Sequence, residues 1–251
     1  MKKLLLSAFV ICLAGTSIAQ ESPLWMRHCA LSPDGTTIAF TYKGDIYTVP
    51  STGGRATQIT TNPAFDTEPV WSPDSKQIAF ASDRMGSLDV FVVSSEGGAP
   101  QRLTTHSGSE KPVAYKDNKH ILFTANIAPS AEDAGFPSGQ FQQVYEVAVT
   151  GGRPAMFSSM PMECISINKE GVMLYQDKKG YEDYWRKHQV SPIARDIWTY
   201  TPGKKPVYQK QTTFGGEDRE PVWSPDGKSF YYLSEEKGSF NIFQRTPGTT
   251  T

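Results

Sequence analysis

The chain contains few of the residues from which catalytic and metal sites are usually built. It has four histidines and three cysteines among 251 residues, and no His-x-x-x-His or Cys-x-x-Cys spacing occurs. No serine lies in a Gly-x-Ser-x-Gly context, which would present a nucleophile on a sharp turn. Nucleophilic catalysis needs such a side chain beside a base. The sequence therefore predicts no metal, no cofactor and no catalytic residue within this chain.

A surplus of positive charge is also absent. The 25 lysines and arginines are balanced by 26 aspartates and glutamates, which gives a formal net charge of −1. Proteins that bind nucleic acid neutralise its phosphates with clustered lysine and arginine side chains. Nucleic acid is therefore not an expected partner.

The sequence has one long apolar run, at its N-terminus. Lys2-Lys3 precede the run Leu4–Ala14, and Ser17-Ile18-Ala19 forms a small-x-Ala cleavage site. Residues 1–19 are therefore interpreted as a signal peptide cleaved near Ala19-Gln20, which predicts a periplasmic or secreted protein. The run is too short to span a bilayer, so no retained membrane anchor is expected.

What the sequence does contain is a repeat. Each unit begins with a short apolar strand that ends in a Ser-Pro-Asp turn or a degraded copy of it. A triplet follows further along the unit. Its first residue is Asp, Asn or Gln, its second is aliphatic and its third is aromatic. The turns lie at Leu31–Gly35, Trp71–Ser75, Pro112–Asn118, Ile167–Gly171 and Trp223–Gly227, and the triplets start at Asp45, Asp89, Gln143, Asp196 and Asn241. The steps between triplets are 44, 54, 53 and 45 residues, and a period of about 40 to 50 is the blade length of β-propellers.

Each unit has the features of a four-stranded antiparallel sheet. Proline, aspartate and glycine occupy successive positions of the turn. Alternating apolar runs such as Thr37–Thr41 and Gln77–Ala81 follow it, and a second turn such as Gly53-Gly54 leads to a short outer strand. The prediction is an all-β propeller of four-stranded blades in one domain, residues 20–251. The blades are expected at about 24–61, 66–105, 110–157, 162–213 and 217–251.

The fifth unit stops early. It ends at Thr251, where its outer strand should begin. An unfinished blade would leave an exposed sheet edge, which is a liability in solution. We therefore expect an incomplete ring, with six or more blades in a longer parent protein.

Two cysteines remain after signal cleavage, Cys29 and Cys164. Exported proteins commonly join such pairs in a disulfide. Both residues, however, precede the turn after the first strand of a unit, in units one and four. First strands of these units would face each other across a central channel, whereas a disulfide needs α-carbons within about 7 Å. Two free, buried thiols are favoured over a disulfide.

Two units carry insertions. In unit three, residues 125–142 are rich in small residues and proline, which favours a solvated loop over a lid. In unit four, residues 176–196 concentrate aromatic and cationic side chains, a mixture that can contact a peptide or an acidic terminus. The alternative is that the aromatic side chains pin the loop to the blade while the charges stay in water. The candidate contact residues are Tyr181, Trp185, Arg186, Lys187, His188 and Arg195.

The sequence of unit four is also the part of the chain that is most specific to one protein family. Lys178–Asp183, Arg186–His188 and Arg195–Trp198 resemble the corresponding stretch in the propeller of bacterial tricorn protease homologues. The segment 211–227 and the N-terminal Pro23–Arg27 resemble that propeller too. The resemblance covers essentially the whole mature chain. The Ser-Pro-Asp-Gly repeats alone would match any propeller of the TolB kind.

The resemblance implies a non-catalytic role within a large serine peptidase. Proteins of that family carry one or two propellers, then a PDZ-like module and a catalytic domain related to the C-terminal-processing peptidases. Their propellers are thought to admit or release peptides and to support oligomer contacts. Peptides or unfolded polypeptides, the downstream domains and a second copy of the chain are therefore the implied partners. The alternative is a free-standing periplasmic TolB-like propeller that binds a protein or a glycan.

Overall fold

The computed structural model describes residues 25–127, 141–180 and 191–249. These residues form nineteen strands and no helix, so they contain no helix that could cross a membrane. Blade one comprises β1 (Arg27–Leu31), β2 (Thr37–Tyr42), β3 (Asp45–Pro50) and β4 (Thr57–Gln58), and blade two β5 (Asp66–Trp71), β6 (Gln77–Ser82), β7 (Asp89–Ser94) and β8 (Gln101–Arg102). Blade three comprises β9 (Lys111–Asp117), β10 (His120–Ala125), β11 (Gln143–Ala148) and β12 (Ala155–Ser158). Blade four comprises β13 (Met162–Ile167), β14 (Met173–Asp177), β15 (Ile197–Thr201) and β16 (Val207–Lys210), and blade five β17 (Asp218–Trp223), β18 (Phe230–Ser234) and β19 (Asn241–Arg245).

The five blades are antiparallel meanders arranged as a propeller. Four sheets have four strands in chain order, and the fifth has three, in the order β17-β18-β19. The predicted all-β class and the propeller architecture are thus confirmed, and three strands of the fifth blade lie within the described residues.

The Ser-Pro-Asp turns are held by their own side chains. In blade two, the Ser72 hydroxyl donates to Asp74 at 2.7 Å and accepts the backbone N–H of Gln77 at 2.9 Å. In blade five, Ser224 donates to Asp226 at 2.6 Å and accepts the N–H of Ser229 at 3.1 Å. These hydrogen bonds satisfy the backbone where the chain reverses, so the side chains have a structural use.

A second repeated bond closes the outer part of three blades. A threonine hydroxyl that follows the fourth strand accepts the backbone N–H of the aliphatic residue at the start of the third strand. The pairs are Thr60 with Ile46 at 3.0 Å, Thr104 with Val90 at 2.9 Å and Thr212 with Ile197 at 3.0 Å. The aliphatic residue of the triplet is therefore the point where a hydrogen bond connects the third strand to the segment after the outer strand.

Apolar side chains between neighbouring sheets form the core. One cluster joins Ala39 and Ile46 of blade one to Phe80 and Phe91 of blade two. Three further clusters occupy the next three seams in the same way. Burial of this surface at roughly 25 cal/mol per Å² is the main stabilising term of such a fold.

Tryptophans of the turn motif also cross two of these seams. Trp71 Nε1 donates to the carbonyl of Ala30 at 2.9 Å, and Trp223 Nε1 donates to the carbonyl of Val172 at 3.1 Å.

The outer face of blade five has no neighbour among the described residues. Its side chains Val222, Tyr231 and Ile242 are exposed, Ile242 by 75%. Successive innermost strands pack against each other from β1 to β17, but in the described ranges β17 and β1 share no comparable packing. Among the described residues, the last and first blades are therefore not packed together as the other neighbouring blades are.

Candidate functional site: a channel between the blades

The innermost strands carry an irregularity at matching positions. The pairing register shifts within β1, β5, β13 and β17. One residue in each shifted segment has a left-handed backbone, namely His28 (φ 51°), Glu68 (55°), Cys164 (51°) and Glu220 (52°). Such bulges redirect a side chain at a cost of order 1 kcal/mol and are over-represented beside functional sites.

The redirected side chains meet in one cavity of about 510 Å³. All five innermost strands contribute to its wall. Lys111 takes the corresponding place in blade three, where β9 also shifts register against β10. The wall residues from the innermost strands include His28, Glu68, Lys111, Cys164 and Glu220. This cavity is the central channel of the propeller.

The channel wall is charged, and most of its charges are paired. Lys111 Nζ lies 2.8 Å from Glu68 Oε1, and Lys178 Nζ lies 2.9 Å from Glu163 Oε1. Burial alone would raise the pKa of Glu163, but hydrogen bonds from Lys178 and Gln176 and the charge of Arg195 lower it. The Glu220 side chain also lines the channel, and no cation pairs with it in the part of the chain described. Apolar side chains such as Val70, Val113 and Met162 line the channel between these charges.

Both cysteines lie on the channel wall. They are free, as predicted, but they are exposed. The prediction of buried thiols was wrong because the bulges direct these segments into the channel and not between the sheets. The walls nevertheless restrict water around Cys164, and with the carboxylates of Glu220 and Glu163 they raise the pKa of its thiol to about 12.

Five of the six predicted contact residues, Tyr181, Trp185, Arg186, Lys187 and His188, lie outside the described residues.

Arg195 is described, and it sits between blades four and five. Its Nη1 donates to Glu217 Oε1 at 2.8 Å, and its Nε donates to Glu163 Oε2 at 3.3 Å. Burial disfavours the charged guanidinium, but Glu217 and Glu163 outweigh that effect and raise the pKa of Arg195. The side chain is 17% exposed. Arg195 thus joins two blades beside the channel, and its contact with a peptide stays a prediction.

Of the four bulge residues, the sequence pointed only to Cys164, as a thiol and not as a bulge position. A signal was present, because the run Glu-Pro-Val-Trp occurs at Glu68–Trp71 and again at Glu220–Trp223. A non-glycine residue in a left-handed conformation leaves no clear mark on composition, so only the recurrence could have indicated these positions.

Groups that could supply other chemistry are scattered. Within the described ranges, no three His, Cys, Asp or Glu side chains lie close enough to hold a metal ion. His120 Nδ1 lies 3.0 Å from Asp117 Oδ1 at an exposed turn.

The chain matches known proteins along nearly all of its length. Residues 23–251 match the family described as the tricorn protease N-terminal β-propeller domain. Over 213 residues the chain is 39% identical to tricorn protease homolog 1 of Streptomyces coelicolor, covering 84% of this chain and 19% of that protein. The chain therefore spans about a fifth of that relative.

Two solved structures share the fold. The tricorn protease has a TM-score of 0.71 at 17% identity, with 91% of this chain and 22% of that chain covered. A putative TolB from Agrobacterium tumefaciens has a TM-score of 0.66 at 15% identity, with 91% and 84% covered. The family match over more than nine-tenths of the sequence, together with the bladed fold and its channel, shows that the chain belongs to the family of tricorn protease N-terminal β-propeller domains.

Proposed function

We propose that this chain is the non-catalytic propeller of an exported tricorn-like serine peptidase, where it admits or guides peptide substrate and supports assembly. The observation that carries the proposal is the channel, whose wall is built by all five innermost strands and is lined by charged side chains. Two of those side chains, Glu68 and Glu220, belong to left-handed bulge residues, and strained residues of this kind cluster at functional sites. In the parent protein, one or more further blades would cover Val222 and Ile242, and PDZ-like and catalytic domains would follow.

The channel cysteines provide a direct test in the full-length peptidase. A Cys164→Ser variant retains Cys29 as the channel thiol, which a maleimide carrying a polyethylene-glycol chain would modify. If substrate passes through the channel, modification should slow the cleavage of a long unfolded polypeptide at least tenfold. The cleavage of a fluorogenic dipeptide that reaches the active site by diffusion should change little.

Two controls accompany this test. The small reagent N-ethylmaleimide should leave the long-substrate rate within about twofold of the unmodified enzyme. The double variant Cys29→Ser, Cys164→Ser should be insensitive to the bulky reagent. Unchanged cleavage of the long substrate after complete modification of Cys29 would contradict a role of the channel in substrate entry.

The insertion of blade four is proposed as a contact for peptide or for a neighbouring module, through Tyr181, Trp185, Arg186, Lys187, His188 and Arg195. Replacing Arg186 and Lys187 with alanine in the full-length enzyme should lower peptide turnover or reduce the size of the assembly. Unchanged kinetics together with unchanged size would rule out this assignment.

Export is part of the proposal. Sequencing the N-terminus of the mature protein should find Gln20 first, because cleavage is expected near Ala19-Gln20. A chain that keeps Met1 would contradict it.

One observation favours a second candidate. The fold covers 84% of the Agrobacterium TolB chain, so five blades of this kind resemble most of a free-standing propeller as well. In that case the chain would bind a protein or a glycan in the periplasm. A reading frame that continues past residue 251 into a PDZ-like module and a catalytic serine would exclude this candidate.

A further inference from the structure

The seam between blades one and two contains a buried ion pair. Arg84 Nη2 donates to both oxygens of Asp66, at 2.9 and 3.0 Å. Its Nε donates to the Ser82 hydroxyl at 2.8 Å, and its guanidinium carbon lies 4.5 Å from the centre of the Phe91 ring. A carboxylate, a hydroxyl acceptor and an aromatic face together form a complete recognition site for a guanidinium. Asp66 is fully buried, and Arg84 neutralises its charge.

Blade five repeats this site without the cation. Strand pairing sets Asp66 opposite Ser82 in blade two and Asp218 opposite Ser234 in blade five. The aromatic pair Phe80 and Phe91 is matched by Tyr232 and Phe243 in the same register. Two residues after the serine, where blade two has Arg84, blade five has Glu236.

The consequence is a buried carboxylate that lacks a partner. Asp218 is fully buried, and within the described residues neither of its oxygens accepts a hydrogen bond of normal geometry. Burial raises the pKa of Asp218 to about 6, an effect that the nearby Ser234 and Thr212 hydroxyls offset only in part. Leaving such a group unpaired is costly, so an orphaned carboxylate calls for an explanation.

A cavity of about 440 Å³ adjoins this carboxylate at the seam between blades four and five. Asp218, Tyr232, Phe243 and Glu236 lie on its wall. The corresponding cavity in the first seam, which Arg84 lines, measures about 350 Å³. The cavity beside Asp218 is thus the larger of the two.

Two cations of the chain border the cavity, but neither pairs with Asp218. Arg245 Nε donates to the carbonyl of Thr249 at 3.3 Å. Lys237 Nζ lies 3.9 Å from Glu236 Oε1.

We infer that the cavity between blades four and five is a binding site for the guanidinium of an arginine side chain supplied by another polypeptide. The arginine donates from a terminal nitrogen to Asp218 and packs its guanidinium against Tyr232 and Phe243, as Arg84 does on Asp66 and Phe91. Glu236 adds a second negative charge at the entrance. This site lies between two blades and is separate from the channel, so the inference does not depend on substrate passage.

The chemistry of the wall favours a guanidinium over other cations. A divalent metal ion needs six or more oxygen ligands, or histidine and cysteine side chains, and the described residues contain no such cluster. A lysine ammonium is more strongly hydrated than a guanidinium and has no planar face to pack on an aromatic ring, as Arg84 packs on Phe91. Arginine also stacks on aromatic rings, which the site provides.

Calorimetric titration at pH 7.5 with an acetylated and amidated Gly-Gly-Arg-Gly-Gly peptide tests the inference. We expect saturable binding to the protein. The same peptide with citrulline in place of arginine keeps the shape and loses the charge, and it should bind at least tenfold more weakly. The lysine peptide should be intermediate.

Two variants complete the test. Glu236→Arg should place an arginine of the chain on Asp218, which raises the melting temperature and abolishes binding of the arginine peptide. Asp218→Asn removes a buried unpaired charge without changing shape, so it should fold well and weaken binding at least tenfold. Equal binding of the arginine and citrulline peptides, or unchanged binding by Asp218→Asn, would overturn the inference. Stabilisation by Ca²⁺ alone, lost in Asp218→Asn, would replace it with a metal site.

Discussion

Blades two and five are built on nearly the same pattern, yet their surroundings differ. Blade two packs against a neighbour on each face, and Phe80 lies fully buried between its sheet and blade one. Among the described residues, blade five packs on one face only, and Ile242 on its other face is 75% exposed. The same strand pattern therefore contributes differently to stability, because the area removed from water depends on the neighbouring sheets.

The difference extends to charge. The buried Asp66 of blade two receives two bonds from Arg84, whereas the buried Asp218 of blade five receives none of normal geometry. The carboxylate of the enclosed blade thus has a cation of the chain itself as its partner. A blade at the open end keeps polar and apolar groups that a partner could satisfy.

The largest contrast is expected in the apolar core. Phe80→Ala leaves a cavity between two sheets and should lower the free energy of unfolding by about 3 to 5 kcal/mol. Ile242→Ala removes an exposed side chain and should change it by less than about 0.5 kcal/mol. Urea denaturation of both variants provides the measurement. Similar losses would mean that the outer face of blade five is covered in solution.

The ion pair of blade two should give the next largest effect. Arg84→Leu keeps much of the packing on Phe91 but leaves Asp66 buried without a cation, so the free energy of unfolding should fall by about 3 kcal/mol. The double variant Arg84→Leu, Asp66→Asn should regain much of that loss, which a double-mutant cycle would reveal. Additive effects of the two substitutions would argue against direct coupling.

The buried carboxylate of Asp218 in blade five should make the free energy of unfolding depend on pH. Its pKa in the folded state, about 6, exceeds the ordinary value of 3.8. The contribution of Asp218 to stability is therefore fully present below about pH 4 and is lost as the pH rises through 6. The shift corresponds to roughly 2 to 3 kcal/mol.

Asp218→Asn isolates this contribution. The variant should be more stable than the parent chain at pH 7.5, and the difference should shrink towards pH 4. Denaturant midpoints across this range would measure it. A difference that does not vary with pH would show that Asp218 keeps an ordinary pKa.

The smallest effects are expected at the tryptophans that cross the seams. Trp71→Phe and Trp223→Phe each remove an indole N–H from a backbone carbonyl, Ala30 in the first case and Val172 in the second. Each should lower the free energy of unfolding by about 1 kcal/mol. Near-equal losses would indicate that the two seams are alike, whereas a much smaller loss for Trp223→Phe would mark the fourth seam as looser.

The repeat made most of the fold predictable. Ser72 and Asp74 bond to each other and to the following backbone, so the turn is encoded within a few adjacent residues. Strand alternation and the regular spacing of the triplets then specify a bladed sheet. Because these interactions join residues close in sequence, the turn can be recognised from any single copy of the repeat.

The channel lining and the cavity beside Asp218 could not be predicted from the repeat as the blades could. The exposure of Cys29 and Cys164 depends on bulges, which a pattern of apolar and polar residues does not reveal. The orphaned Asp218 follows from an exchange of Arg84 for Glu236 at equivalent places of two distant blades. Recognising it requires the strand register, because the partners are far apart in sequence in one blade and missing in the other.

Because of the bulges on the innermost strands, substitutions that change the channel lining are distinct from substitutions that change the core between the sheets. A residue such as Glu68 or Glu220 stands outside the regular pairing of its strand and faces the channel. Its replacement would alter the charge or width of the passage while the aromatic layers between the sheets stay intact. The same scaffold could therefore acquire a new lining by single substitutions, and relatives with equal stability could differ in the charge and shape of their channels.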